Sequence, residues 1–258
     1  MPRALFLSPH LDDVAFSCGG TFATLAMRGW ETTLCTVFTR SVPCPTGFAL
    51  ACQLDKGLGP DVDYLALRRA EDDAAAAALG ATHVARLDLP EAPHRGYASA
   101  AALFAEFVAQ DEVAPQLVSS LRAPLAASDA VFVPQALGSH VDHRRVRDAV
   151  LTMTREDETL PVRLRWYRDA PYVLRDPGAS PAPPVGDAYP SSETVALDRA
   201  ALARKLAASS AYVSQLPFQF GGEAAMRAAL AEFARREGAN SATAAGERFR
   251  RCDDRENE

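Results

Sequence analysis

The first 38 residues restrict this chain more than any other stretch of it. Arg3–Ser8 (RALFLS) is a short apolar run that stops at Pro9 and reads as a buried strand. From Asp12 to Arg28, Val14, Phe16, Phe22, Leu25 and Ala26 recur at helical spacing, and Gly29 supplies a stop. Thr32–Phe38 (TTLCTVF) is a second β-rich run. Strand, helix, strand at this spacing is the unit of a parallel sheet, because parallel neighbours need a crossover between them.

The same alternation continues. The sequence predicts a long Pro- and Gly-containing loop over 41–62, a helix over Leu65–Leu79 capped by Gly80, and a strand at Val84–Leu89. Helices follow over Ala98–Ala109 and Pro115–Leu125, then a strand at Ala130–Pro134, a helix over Val141–Thr154 and a strand at Arg163–Tyr167. Asp176–Pro190 holds five prolines and two glycines and reads as a surface loop. The pattern resumes with a strand at Glu193–Leu197 and helices over Asp198–Ala211 and Gly221–Arg236. Arg248–Glu258 (RFRRCDDRENE) is almost entirely charged and reads as a frayed tail, leaving residues 1–247 as the domain. No internal repeat is present. The expected architecture is a single α/β domain, a mostly parallel sheet between helical layers. In such sheets a site lies beyond the carboxyl ends of the strands.

Composition excludes several function classes. With 258 residues and 48% apolar side chains the chain can bury a large core. A net charge of −6 argues against a grip on nucleic acid or on an anionic membrane surface. No apolar run approaches the roughly 20 residues of a membrane span. The N-terminus lacks a signal-peptide layout, so the cytosol is the expected compartment. Five cysteines without a CxxC pair predict reduced thiols, not a disulfide framework. A homo-oligomer stays open.

The chemistry-bearing residues fall just past two of the strands. Pro9-His10-Leu11-Asp12-Asp13 follows the first, and His140-Val141-Asp142-His143 follows Ala130–Pro134 after a short loop. Of five histidines in the chain, two lie within four residues. His10 and Asp13 are close enough in sequence to reach one cation from a strand-to-helix turn. His140 and His143 share a face once the helix has started. Two imidazoles, one carboxylate and an open position make the ligand set of catalytic zinc or non-haem Fe(II). A spare carboxylate beside such an ion suits the base that activates a water. Taken singly, Asp12 and Asp142 read as helix caps and His140 as a loop histidine. Capping alone does not call for both clusters in this topology.

PHLDD followed by a glycine pair, together with HVDH after a strand ending in Pro134, resembles the PIG-L (LmbE-like) family of zinc-dependent N-deacetylases, which remove acetyl groups from N-acetylglucosamine units. Arg68-x-x-Glu71 with its alanine-rich helix and Leu79-Gly80 is similar to a further family segment. So is Lys205-x-x-Ala208 through Tyr212-x-Ser214-Gln215. The matched pieces span residues 3 to 215. Leu11 stands where the family commonly has Pro, and Val14 where it often has Glu. The resemblance implies a Rossmann-like three-layer fold and a zinc or other divalent cofactor held by His10, Asp13 and His143. It implies Asp12 as general base, His140 as oxyanion stabiliser or proton donor, and Asp142 as the residue that orients or tunes His140. Arg68 is expected either to bind substrate sugar hydroxyls or to pair on the helix surface with Glu71 or Asp72. The implied substrate is a small N-acetylated sugar or glycoconjugate. His94 reads as a surface histidine, with the pocket wall as its alternative, and Trp166 and Tyr167 as core or wall. Tyr172 and the loops 41–62 and 176–190 are candidates to cover the site.

Two rival readings remain at this level. One is a metallohydrolase on the same scaffold acting on another amide or an ester. The other is a non-enzymatic sugar- or nucleotide-binding module that uses Cys18-Gly19-Gly20 at a helix N-terminus, although G-x-G-x-x-G is absent.

Overall fold

A computed structural model describes residues 1–179, 185, 189–239 and 241–252. Most of the 176–190 loop expectation falls on 180–184 and 186–188, outside the described residues.

The strands are β1 (Arg3–Ser8), β2 (Glu31–Phe38), β3 (His83–Leu89), β4 (Ala130–Pro134), β5 (Leu164–Tyr167), β6 (Ser191–Ala196) and β7 (Gly246–Arg251). They form one seven-stranded sheet in the order β3-β2-β1-β4-β5-β7-β6. Pairs among the first five are parallel. β7 runs antiparallel to both of its neighbours. The main helices are α1 (Asp13–Met27), α2 (Gly47–Leu54), α3 (Tyr64–Leu79), α4 (Val113–Ala126) and α5 (Val141–Met153). Short α6 (Leu160–Arg163) and α7 (Tyr172–Arg175) flank β5. Then come α8 (Arg199–Ser210), α9 (Leu216–Phe220) and α10 (Glu223–Ala239).

β1 and β4 are neighbours, and the chain winds outward from them in opposite directions. This is the switch point at which open α/β sheets leave a crevice beyond their strand ends. Apolar side chains on the two sheet faces build two large clusters. One contains Phe6, Phe22 and Phe132 under α1, α3 and α8. The other contains Leu5, Val37, Val133 and Trp166 under α4 and α5. The Phe6 and Phe132 rings stack with centroids 4.1 Å apart, joining β1 to β4 directly behind the switch point.

The parallel half agrees with the sequence reading, and three other expectations are corrected. The 41–62 segment contains α2. The helix expected over Ala98–Ala109 is only a 3-10 turn at Ala101–Phe104. There, Tyr97 and its partly buried neighbours Leu103, Phe107 and Val108 pack beside Val141, and this packing overrides the helical preference of alanine. The domain does not stop at 247, because residues 248–251 of the expected tail belong to β7. Phe249 is fully buried against Phe132, at a centroid distance of 5.3 Å.

Glu247 locks this strand to α1. Its carboxylate accepts from the Gly20 and Thr21 amides and from the Lys205 ammonium, all buried. The two amides are free for it because α1 breaks its helical geometry at Cys18. A Cβ at Gly20 would displace the Leu197 side chain, so the close approach of the C-terminal region favours glycine there. The nucleotide-binding alternative therefore loses its phosphate site, since the Gly20 amide already has a carboxylate partner.

Candidate metal centre

His10 lies two residues past β1. The Ser8 hydroxyl shapes the turn, donating to the His10 carbonyl at 2.6 Å and accepting from the Val14 amide at 3.1 Å. The His10 amide donates to Asp13 Oδ2 at 2.7 Å, which folds that carboxylate back over the start of α1. Across the crevice the loop 135–140 carries three residues at positive φ, namely Ala136, Gly138 and Ser139. A Cβ on Gly138 would strike the Tyr172 ring, so that ring can pack on the loop only over a glycine. This strained loop delivers His140 and His143 to the first turn of α5.

Three groups converge. Asp13 Oδ2 lies 3.3 Å from His10 Nδ1 and 3.3 Å from His143 Nε2. One ligand atom from each residue falls within 4.8 Å of the others. The second ring nitrogen of each histidine meets a carboxylate: His10 Nε2 donates to Asp142 Oδ2 at 2.8 Å, and His143 Nδ1 to Asp169 Oδ1 at 2.7 Å. Ionised carboxylates only accept, so these bonds turn the lone pairs of His10 Nδ1 and His143 Nε2 toward Asp13. His143 Nε2 is buried and has no hydrogen-bond partner. Such an orphan costs about 1–3 kcal/mol. A divalent cation relieves that cost and suits this donor set. A second grouping, His10, His140 and Asp142, is also compact. It is the weaker candidate, because His10 Nε2 and Asp142 already share a hydrogen.

The electrostatics divide by position. Burial would raise the Asp13 carboxyl, but the His143 and His10 imidazoles override it and hold it well below the usual range. Burial would likewise suppress His143, and Asp13 and Asp169 outweigh it, pushing the imidazole up to about 9. Asp12 is pushed up to about 7 by burial, with the Arg68 guanidinium opposing. His140 is pushed down to about 3 by burial. Its Nδ1 accepts from the Asp142 amide at 3.2 Å, so the neutral ring carries its hydrogen on Nε2.

The structure brings together His10, Asp12, Asp13, His140, Asp142 and His143, and it adds a role for Asp142 and redirects one for Arg68. The Asp142 carboxylate accepts from His10, from Arg95 at 2.6 Å and from the Ala92 amide at 3.1 Å, but not from the His140 ring. It backs His10, while the Asp142 amide orients His140 and the Asp142 charge opposes the fall of that imidazole. Arg68 pairs with neither Glu71 nor Asp72. It is buried and donates to Glu91 at 2.7 Å, to the Leu11 carbonyl at 3.1 Å and to Asp12 at 3.3 Å. Its place is behind Asp12, not on an open wall toward sugar hydroxyls. Glu71 instead accepts from the amide and hydroxyl of Ser214, both at 2.7 Å, so the two outlying motifs bind each other.

Sequence reasoning missed Asp169 and Arg95. Asp169 sits two residues past β5, at the same sheet edge as the two motifs, and that position is the signal that could have found it. Tyr172 is at the site, its ring centroid 5.3 Å from that of His143. Phe104, 46% exposed, stands edge-on to His140 at 5.4 Å. Trp166 and Tyr167 are core. A cavity of about 540 Å³ is lined by the 41–65 segment with Glu91, Pro93 and His94. It contains none of the candidate ligands, and it adjoins Asp12 through the Glu91–Arg68 pair. His94 is thus a wall residue of that cavity.

Fold and site define an α/β protein with an open two-histidine, one-aspartate cluster at its switch point. The PIG-L family, described as GlcNAc-PI de-N-acetylase, matches residues 5–154, and the chain belongs to that family. It is 34% identical over 175 residues to a 2'-N-acetylparomamine deacetylase of Streptomyces fradiae, a match covering 66% of this chain and 58% of that protein. Two solved structures resemble it over nearly the whole chain. The zinc-inhibited form of the teicoplanin deacetylase Orf2 is 26% identical with a TM-score of 0.80, covering 98% of this chain and 99% of that one. The A40926 pseudoaglycone deacetylase Dbv21 is 30% identical with a TM-score of 0.76, covering 96% of each.

Proposed function

We propose that this chain is a zinc-dependent N-deacetylase of the cytosol that hydrolyses the acetamide of an N-acetylglucosamine-type sugar or glycoconjugate to an amine and acetate. The carrying observation is the juxtaposition of an open ligand cluster with Asp12, a buried carboxylate held by the Arg68 guanidinium beside it. A carboxylate so placed can take a proton from water and return it to a leaving amine. Relatives named for deacetylating N-acetylparomamine and teicoplanin support an N-acetylated aminosugar.

In this reading His10, Asp13 and His143 hold the ion. A divalent ion there supplies Lewis acidity to the acetyl carbonyl and acidifies a water. Asp12 is the general base, kept from full neutralisation by Arg68. His140 donates its Nε2 hydrogen to the oxygen on which charge develops. Phe104 and Tyr172 offer aromatic faces to the apolar side of a sugar ring, and the 540 Å³ cavity beside Glu91 takes the rest of the glycoconjugate.

The test is acetate release by zinc-loaded and chelator-treated protein from a panel of N-acetylated aminosugars, with simple acetyl esters alongside. Zinc-dependent release from the amides and little from the esters is expected. Faster turnover of the esters would overturn the proposal in favour of a different hydrolase on this scaffold.

A further inference from the structure

We propose that Arg95 is a positioning residue for the metal centre: it fixes Asp142 and, through Asp142, the orientation of His10, so that ion affinity depends on a side chain that touches neither ion nor substrate. The inference rests on the reading of His10, Asp13 and His143 as ligands.

Arg95 comes from the irregular segment between β3 and α4 and is buried. Its guanidinium is used on every edge. Nη2 donates to Asp142 Oδ1 at 2.6 Å, Nε to Asp111 Oδ1 at 2.9 Å, and Nη1 to the Pro90 carbonyl at 2.6 Å. Its face lies 4.6 Å from the centroid of the Phe38 ring, which itself neighbours the His10 ring at 6.2 Å. Asp111 is held in turn by the Tyr97 hydroxyl at 2.7 Å and by Arg145 Nε at 3.0 Å. The result is a line from the partly exposed Arg145 through the buried Asp111, Arg95 and Asp142 to His10, with charges alternating in sign as far as Asp142.

Buried ion pairs are weak devices for stability, because desolvation offsets most of the attraction. This line does something a hydrophobic replacement could not. Asp142 has one oxygen on Arg95 and the other on His10 and the Ala92 amide, so its carboxylate has one orientation, and that orientation directs His10 Nδ1 at Asp13. The opposite histidine needs no such help. Asp169, behind His143, is fixed by the Leu137 amide at 3.0 Å. One ligand is therefore aligned by its own neighbourhood, and the other by a residue delivered from a loop.

The experiment measures zinc affinity by chelator competition, with ion-free melting curves to establish folding, for the wild-type chain and for Arg95→Met, Arg95→Lys and Arg145→Met. Partners that orient a ligand histidine typically contribute about 10–100-fold to metal affinity. Arg95→Met is expected to lose affinity by that order. Arg95→Lys, whose single ammonium cannot span Asp111 and Asp142, should lose less. Arg145 grips the same Asp111 without reaching Asp142, so Arg145→Met should bind zinc as wild type does. If Arg95→Met does not fold, Arg95→Lys decides. Folded Arg95 variants with wild-type affinity overturn the inference, as does an equal loss in Arg145→Met. A wild-type chain that binds no stoichiometric zinc overturns the ligand reading itself, a distinguishable failure.

Discussion

His10 and His143 each set one ring nitrogen against a buried carboxylate, at 2.8 Å and 2.7 Å, whereas His140, three residues before His143, meets only a backbone amide. Asp13 and Asp12 differ in the same way. Asp13 faces two imidazoles and stays ionised, whereas Asp12 faces one guanidinium and is pushed up to about 7. Asp12, Asp13, His140 and His143 are all buried, so burial alone does not explain the difference. What separates the holding side of the centre from the working side is the partner behind each group. Carboxylate-backed imidazoles keep a lone pair aimed at an ion. The other two groups are driven toward neutrality, where they can exchange or donate a hydrogen.

Removing a holding group should have the largest effect. His143→Ala is expected to abolish tight zinc binding, because three protein ligands are the usual minimum for a catalytic site, and turnover should vanish with it. Metal analysis after dialysis checks this, and stoichiometric zinc in a His10→Ala, His143→Ala double variant would erase the holding side altogether. On the working side, Asp12→Asn should keep its zinc and lose about 10²–10⁴ in turnover. Loss of the metal instead would move Asp12 among the ligands.

His140→Ala should also keep its zinc and lose about 10²–10³ in turnover. Because His140 is pushed down to about 3, it stays neutral across the assay range, and the loss should be the same at every pH near neutrality. A loss confined to one limb of the pH–rate profile would show that its charged form matters. The smallest effect is a displacement. Arg68 opposes the rise of the Asp12 carboxyl, so Arg68→Met should raise it further. A base works only when ionised, so the acidic limb of kcat/KM should move to higher pH, with activity recovering on the alkaline side. An unmoved limb would disconnect Arg68 from Asp12.

The parallel half of the fold and the six clustered residues were legible because both announce themselves locally. RALFLS and TTLCTVF are short β-rich runs; PHLDD follows the first at once, and HVDH follows AVFVP after a short loop. The partners were harder to read: only its place just past β5 marks Asp169, and nothing local marks Arg95. Asp169 lies 26 residues from His143, and Arg95 lies 47 from Asp142. Asp142 was only half legible for the same reason: adjacency in sequence pointed to His140, which its amide and charge do reach, but not to His10, which its carboxylate hydrogen-bonds. α2 was hidden among prolines and glycines. β7 was hidden by charge, since in GERFRR only Phe249 is apolar, and Glu247 is buried only because Lys205 and two amides receive it.

That last strand bears on how the molecule is made. β6 joins the sheet only through β7, and β7 occupies the place between β5 and β6. During synthesis β6 and helices α8–α10 leave the ribosome before β7 does, so the nascent chain holds β5 with an open edge and β6 with no partner in the sheet. The break in α1 also waits for Glu247, so two amides near the N-terminus are satisfied by a residue more than 220 positions downstream. Closing contacts of that span is slow in proportion to the loop entropy that must be overcome first. The half that carries the ligands can collapse early on its own apolar strands, but the rear of α1 is secured only once Glu247 has been made. A chain halted before Gly246 would expose an unpaired strand edge, the kind of surface on which polypeptides aggregate.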